Sequence, residues 1–311
     1  MSLNDHGRPH GSTDSHVLVI GHLGMLGRDL MKQLERNGLK GLGLDLPDVD
    51  ITNGDQVRRI LVDRRPAVVV NCAGYTAVDK AESEPGPAFA INRDGPGNLA
   101  DACRSAGASL IHISTDYVFD GRADRPYVEE DPVNPLGVYA RSKWEGEEIV
   151  RKRLPEHLIV RTAWMFGVQG GNFVKTILRL SEEREELKVV CDQVGCPTWS
   201  MDLAGALVAL ATRILKGYTP IAWGTYHFCG AGKVSWHGFA REIVEEGRRH
   251  RALKVKNILP IPTTDYPTPA ARPLWSVLDC RKIAGTFGIV PPSWRIGLEK
   301  VVRGIYLGEE V

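Results

Sequence analysis

Val17-Leu-Val-Ile-Gly-His-Leu-Gly-Met-Leu-Gly27 is an apolar run that breaks at a glycine, and residues 25–36 continue it with apolar side chains at helical spacing. A β-strand, a tight turn and a helix are expected, in that order. Gly21 permits the sharp exit from the strand, Gly24 lets the backbone approach a pyrophosphate, and Gly27 lets the helix lie close to a sheet; the helix N-terminus then aims its free amides at the anion. Three glycines at this spacing are a weak signal by themselves. Their place after the first strand and at the opening of a helix gives them weight.

Outward from that turn the same rhythm repeats. Strands are expected at 42–45, 67–71 (bounded by Pro66 and Gly74) and 109–114, with helices at 55–65 and 88–106 between them. Strands alternating with helices imply right-handed crossovers and a parallel sheet covered on both faces, so the fold class is α/β, a doubly wound, Rossmann-like parallel sheet. After residue 150 the rhythm loosens: a strand at 158–161, a glycine-rich loop at 167–172, a helix at 173–183, a strand at 187–190 and an apolar helix at 202–216. From Tyr226 onward aromatic and proline content rises. Residues 1–15 read as a flexible leader, and 16–166 as a dinucleotide-binding domain to which 202–224 return. Residues 167–201 and 225–311 read as a smaller, irregular substrate-binding lobe.

Composition excludes several classes. The 311 residues carry 39 basic and 38 acidic side chains, which leaves no electrostatic footprint for nucleic acid or an anionic membrane. The six cysteines form no Cys-x-x-Cys pair and meet no histidine at zinc-finger spacing, so reduced, mostly buried thiols are expected. No apolar stretch approaches the ~18 residues of a membrane span. A soluble, cytoplasmic protein is expected. His6, His10 and His16 are irregularly spaced and read as a tail feature.

The chemistry is carried by Tyr139 and Lys143, four positions apart in Val-Tyr-Ala-Arg-Ser-Lys-Trp-Glu-Gly-Glu. On a helix these share a face, so the ammonium can lie near the phenol and favour its ionised form, which makes Tyr139 a usable proton donor. Downstream of a dinucleotide turn, the pair points to hydride-transfer chemistry. Asp45 lies at the end of the second strand, where a carboxylate accepts from a ribose 2′-hydroxyl and repels a 2′-phosphate. That favours NADH over NADPH; the competing account is an ordinary turn residue before Pro47.

The glycine turn, Asn71-Cys-Ala-Gly-Tyr-Thr-Ala-Val-Asp-Lys-Ala-Glu82, Ser114-Thr-Asp-Tyr-Val-Phe-Asp-Gly121, the Tyr139/Lys143 pair and Tyr266-Pro-Thr-Pro-Ala-Ala-Arg-Pro273 together resemble the extended short-chain dehydrogenase/reductases. Within that superfamily the chain most resembles the dTDP-4-dehydrorhamnose reductase family, from about residue 17 to about 305. The resemblance implies reduction of the 4-keto group of a dTDP-6-deoxy-L-hexulose to dTDP-L-rhamnose by NADH or NADPH. It gives Tyr139 the role of proton donor and Lys143 the nicotinamide ribose. Thr115 would hydrogen-bond the ketone oxygen, with Ser114 as its rival; such a donor binds developing charge better than the ground state.

The resemblance further implies cofactor contacts at Met25 and Leu26, an adenine pocket at Asp50 and Ile51, and a central wall at Ala73, Gly74 and Tyr75. For the nucleotide-sugar substrate it implies Val78, Asp116, Trp164, Asn172, Phe173, Gln193 and Arg272, Trp164 offering a stacking face and Arg272 a fork for the diphosphate. The positions where some relatives carry metal-bridging glutamates hold Asp29 and Met201 here, so no metal is expected, and either a monomer or a homodimer fits. Cys72 reads as a small core residue. Two other readings stay open. One is an epimerase or dehydratase of the same superfamily, although Tyr117 stands where a dehydratase would be expected to carry Glu. The other is a non-catalytic regulatory subunit resembling the methionine adenosyltransferase β subunit.

Overall fold

The computed structural model describes residues 16–218 and 220–308. The leader, with His6 and His10, lies outside the described residues. His16 does not belong to a tail: it is buried, and its carbonyl accepts from the Ala67 amide at 3.1 Å.

The chain runs β1 (Val17–Ile20), α1 (Met25–Arg36), β2 (Gly41–Leu44), α2 (Gly54–Arg64), β3 (Val68–Asn71), α3 (Val78–Ser83), α4 (Pro85–Phe89), α5 (Gly95–Ala106), β4 (Ser109–Thr115), α6 (Val138–Arg153) and β5 (His157–Thr162). It continues with β6 (Met165–Phe166), α7 (Phe173–Glu183), β7 (Glu186–Val190), β8 (Val194–Gly195), β9 (Thr198–Trp199), α8 (Ser200–Leu215), β10 (Gly224–His227), β11 (Val234–Ser235), α9 (Trp236–Arg248), β12 (Asn257–Ile261), α10 (Arg281–Phe287) and α11 (Trp294–Leu307).

Six strands form one sheet in the order β10-β5-β4-β3-β1-β2, and every neighbouring pair is parallel. Because side chains alternate across a strand, Val17, Val19, Val68, Val70 and Ile111 face α1 and α8, whereas Leu18, Ile20, Val69 and Leu110 face α2 and α5. Burial on both faces explains why these strands read as continuous apolar runs. Each such side chain contributes about 1.5–3 kcal/mol by leaving water. The chain leaves β1 toward β2 on one side and returns to β3 on the other, and that reversal opens a crevice at the carboxyl ends of the strands.

Three details depart from the expected pattern. Residues 225–227, placed by sequence in the second lobe, form with Gly224 the sheet's edge strand β10, and Ile283 and Phe287 of α10 join the first core. The helix expected over 88–106 is interrupted by a π-turn at Ala90–Asp94. Pro96 lies just beyond it and lacks the amide for a regular bond, and the extra residue turns Asn92 inward. Strand β7 pairs with β12 in a separate two-stranded parallel sheet. Helices α7, α9 and α11 enclose a second core around Phe239 and Trp294. No helix of the described residues is long and apolar enough to cross a membrane.

Candidate active site

At the crevice the first turn is shaped by close backbone approach. A Cβ on Gly21, whose φ is 79°, would lie 2.6 Å from the Ala73 amide nitrogen, and one on Gly27 would lie 2.2 Å from the Gly21 carbonyl oxygen. Neither position tolerates a side chain. Gly24 caps α1 without a side-chain hydrogen bond, so no capping side chain occupies the first amides of the helix at the crevice. The turn opens into a cleft of about 870 Å³ lined by Gly21, Gly24, Met25, Leu26, Gly27, Asp45, Asp50, Ile51, Ala73 and Gly74 at this end. These residues fit a dinucleotide: small where its backbone must pass, and open at the helix end.

Asp45 is a turn residue that also borders the cleft. Its carboxylate ties the turn, Oδ2 accepting from the Leu23 amide at 3.0 Å and Oδ1 from the Leu46 amide at 2.9 Å. Asp50 bonds the amide and hydroxyl of Thr52 at 2.9 and 2.7 Å, which holds the loop that carries Ile51.

The other end of the cleft is lined by Val78, Ser114, Thr115, Asp116, Tyr139, Lys143 and Trp164. Glu82 sets the entry of α6, its Oε1 accepting from the Val138 amide at 2.8 Å, so the motif around residues 76–82 positions the helix that carries Tyr139. The Thr115 hydroxyl donates to Asp116 Oδ1 at 3.1 Å, accepts from the Tyr117 amide at 3.2 Å, and is hydrogen-bonded to the Tyr139 phenol. Burial pushes Asp116 up to about 7, against hydrogen bonds from Ser276 and Thr115 that lower it. The phenol differs from its expected state. Burial pushes Tyr139 up to about 12, and the Thr115 hydroxyl offsets this in part. Lys143 is turned under it, its Nζ donating to the Ile113 carbonyl at 2.6 Å; burial lowers the ammonium to about 8 while Glu147 raises it. The lowering of Tyr139 by Lys143 that the spacing predicts is not found; Thr115 alone opposes desolvation. Cys72 does have a cationic neighbour in Lys143, yet burial pushes its thiol up to about 12, which fits a core residue.

The residues expected on the sugar side are placed less uniformly. Trp164 reaches the cleft in a left-handed backbone conformation (φ 45°), but its ring is stacked on Trp236 at 3.5 Å, and Gly195 packs against its indole. The expected stacking face is taken by Trp236. Asn172 is the N-cap of α7, its Oδ1 accepting from the Lys175 amide at 3.2 Å and its Nδ2 donating to the Gly167 carbonyl at 2.8 Å. Phe173 packs on Trp236 and Phe239, while buried Gln193 donates to Thr263 Oγ1 at 3.2 Å. The fork of Arg272 closes on Asp79, with Nη1 to Oδ1 at 2.9 Å and Nη2 to Oδ2 at 2.7 Å. Tyr75 likewise turns from the cleft, its hydroxyl donating to Glu84 at 2.8 Å. Asn172, Phe173, Gln193, Arg272 and Tyr75 are therefore neighbours of the cleft rather than its lining.

Sequence reasoning passed over Thr76 and Trp236, which line the cleft, and Asn92. Asn92 Oδ1 accepts from the Tyr75 amide at 2.8 Å and its Nδ2 donates to Ser142 at 3.0 Å, joining the loop after β3 to α6. Pro96 after a helical run was the available signal for that turn. Asp29 is buried and bonded by the Ser200 hydroxyl at 2.5 Å, and Met201 is buried beside it. Among the described residues no group of three or more His, Cys, Asp or Glu could hold a metal ion, and all six cysteines are free.

The family described as RmlD substrate binding domain matches residues 15–306. A dTDP-4-dehydrorhamnose reductase of Aggregatibacter actinomycetemcomitans is 44% identical over 92% of this chain and 98% of its own length. Among solved structures, a dTDP-4-dehydrorhamnose reductase of Clostridium acetobutylicum superposes with a TM-score of 0.86 at 41% identity, covering 92% of this chain and 98% of that one. One from Bacillus anthracis, in complex with NADP, superposes with a TM-score of 0.85 at 37% identity, covering 93% and 99%. A single crevice joins the glycine turn to Thr115, Tyr139 and Lys143, and this likeness spans nearly the whole length: the chain belongs to the dTDP-4-dehydrorhamnose reductase family.

Proposed function

We propose that the protein reduces the 4-keto group of a dTDP-6-deoxy-L-hexulose to dTDP-L-rhamnose. The observation that carries this reading is the placement of Thr115, Tyr139 and Lys143 in the same cleft as the glycine turn and Asp45. A bound nicotinamide dinucleotide supplies the hydride that adds to C4 of the sugar. Tyr139 gives its phenolic proton to the oxygen that becomes the 4-hydroxyl, so ketone, hydride and proton balance as an alcohol. The Thr115 hydroxyl would turn its proton from Asp116 to the same oxygen and stabilise charge that develops only in the transition state. Lys143 holds the nicotinamide ribose. Asp45 favours NADH over NADPH by repelling a 2′-phosphate.

Residues 16–166, joined by 202–218 and 220–227 and by the helix at 281–287, serve as the dinucleotide-binding domain; 167–201 and the rest of 228–308 hold the sugar nucleotide. Val78 and Asp116 face the sugar directly, and Trp164 reaches it by its edge, supported by Trp236. Asn172, Phe173, Gln193 and Arg272 shape that wall from behind. We assign a cytoplasmic place and no nucleic-acid or membrane partner.

The assignment is tested with Tyr139→Phe in single turnover, NADH oxidation being followed at saturating 4-keto sugar nucleotide. General acid catalysis contributes about 10²–10⁴-fold, so the chemical step slows by at least about 100-fold while NADH affinity stays within about threefold. A chemical step near the wild-type rate removes Tyr139 from the mechanism.

A further inference from the structure

Tyr139 and Lys143 are the first two members of a longer stripe. Glu147 follows four residues later, so all three fall on one face of α6. Its side chain is 0% exposed and is held from β5 by Arg161, itself 1% exposed. Arg161 Nε donates to Glu147 Oε1 at 3.0 Å and Nη2 to Oε2 at 2.8 Å. Arg151, one turn further along α6, adds a bond to Oε2 at 2.6 Å and is shared on its outer side with Glu148. The Arg161 guanidinium is enclosed by the rings of Phe119 and Trp144. Glu147 is thus the anion at the centre of three cations, Lys143, Arg151 and Arg161.

Such a pair needs a reason. Replacing a buried ion pair by apolar residues of similar volume is often neutral or stabilising, so stability alone does not account for this one. The other groups that face Lys143 are uncharged. Burial holds the Cys72 thiol, beyond β3, protonated, and burial holds His112 of β4 neutral, bonded to Asn71 at 3.1 Å. His227 of β10, near Arg161 and Glu147, is also kept neutral by burial. The Ile113 carbonyl takes the Lys143 ammonium. Against this neutral wall Glu147 supplies the charge that favours a buried ammonium.

We propose that Glu147, held by Arg161, is the positioning residue that keeps Lys143 charged and aimed into the cleft. Without its carboxylate, Lys143 would lose the charge that opposes its burial and would give up its proton at lower pH. The inference rests on the assignment of Lys143 to cofactor binding, and its test separates the two.

NADH binding is titrated by quenching of protein fluorescence from pH 6 to 9, which needs no sugar substrate. An ammonium is charged below its pKa, so wild-type affinity declines as pH rises through about 8. In Glu147→Gln the decline moves down by about one pH unit or more, leaving affinity at pH 6 within about threefold of wild type and weakening it at pH 8 by about fivefold or more. Glu147→Asp, which keeps the charge, restores the midpoint. Should Glu147→Gln not fold, Glu147→Gln/Arg161→Met removes both buried charges and carries the same expectation, because the carboxylate that favours the ammonium is absent from it too. A merely structural brace would lower thermal stability and leave the midpoint in place. An unmoved midpoint in the folded variant overturns the inference. If Lys143→Met binds NADH as wild type does at every pH, the assignment of Lys143 fails first, and the role of Glu147 falls with it.

Discussion

The two ends of the cleft are built by different means. The dinucleotide end is made by backbone: Gly21 and Gly27 sit where a Cβ would strike another main-chain atom, and α1 begins at an uncapped glycine. The sugar end is made by side chains that meet from distant segments, as in Trp164 on Trp236 or Arg272 on Asp79. Backbone requirements are written locally in the sequence; side-chain pairings across a fold are not. The dinucleotide end is therefore specified by a few contiguous residues, whereas the sugar end depends on how two cores are set against each other.

That contrast can be broken by substitution. Asp45 is the one charged side chain at the dinucleotide end on which discrimination is placed, although it also ties the turn through Leu23 and Leu46. Asp45→Ala is expected to shift the ratio of kcat/KM for NADPH over NADH upward by about tenfold, equivalent to about 1.4 kcal/mol. The measurement is that ratio, taken with both cofactors on one preparation. If it does not move, Asp45 serves only the turn and the end is selective by shape alone.

A smaller effect sharpens the other side. Asn172 is implied in substrate binding by family resemblance, yet its side chain caps α7 and bonds the Gly167 carbonyl. Asn172→Ala is expected to cost about 1 kcal/mol of stability, as loss of an N-cap does, and to lower Tm by about 2–4 °C. The KM for the sugar nucleotide should stay within about twofold. A KM that rises tenfold with Tm unchanged would return Asn172 to the sugar and blur the distinction between the two ends.

How much was legible follows the same division. Helix α1 appears with the bounds its periodicity gives, and strands β1, β3 and β4 appear where short, largely apolar runs lie, because both faces of the sheet are covered. Tyr139 and Lys143 could be paired from spacing alone. Their ionisation could not: the spacing says that an ammonium is near, but burial moves the phenol up and the ammonium down. Most of strand β10 falls in the segment that rising aromatic and proline content from Tyr226 onward assigns to the second lobe. The burial of Tyr226 and His227 comes from pairing with β5 and from packing that only the folded chain supplies. Asn92 was missed for a similar reason, since a π-turn is a local departure that no periodicity announces.

The central claim is net reduction at C4, with the proton supplied from the protein side. Its most direct measurement uses NADH deuterated at the transferred position with the 4-keto-6-deoxy-L-hexulose nucleotide, and reads the product by NMR. The account predicts one deuterium at C4 of dTDP-L-rhamnose for each NADH oxidised. Turnover of the sugar without net NADH oxidation, or a product labelled at another carbon, would contradict it and leave an epimerase or another superfamily reaction in its place.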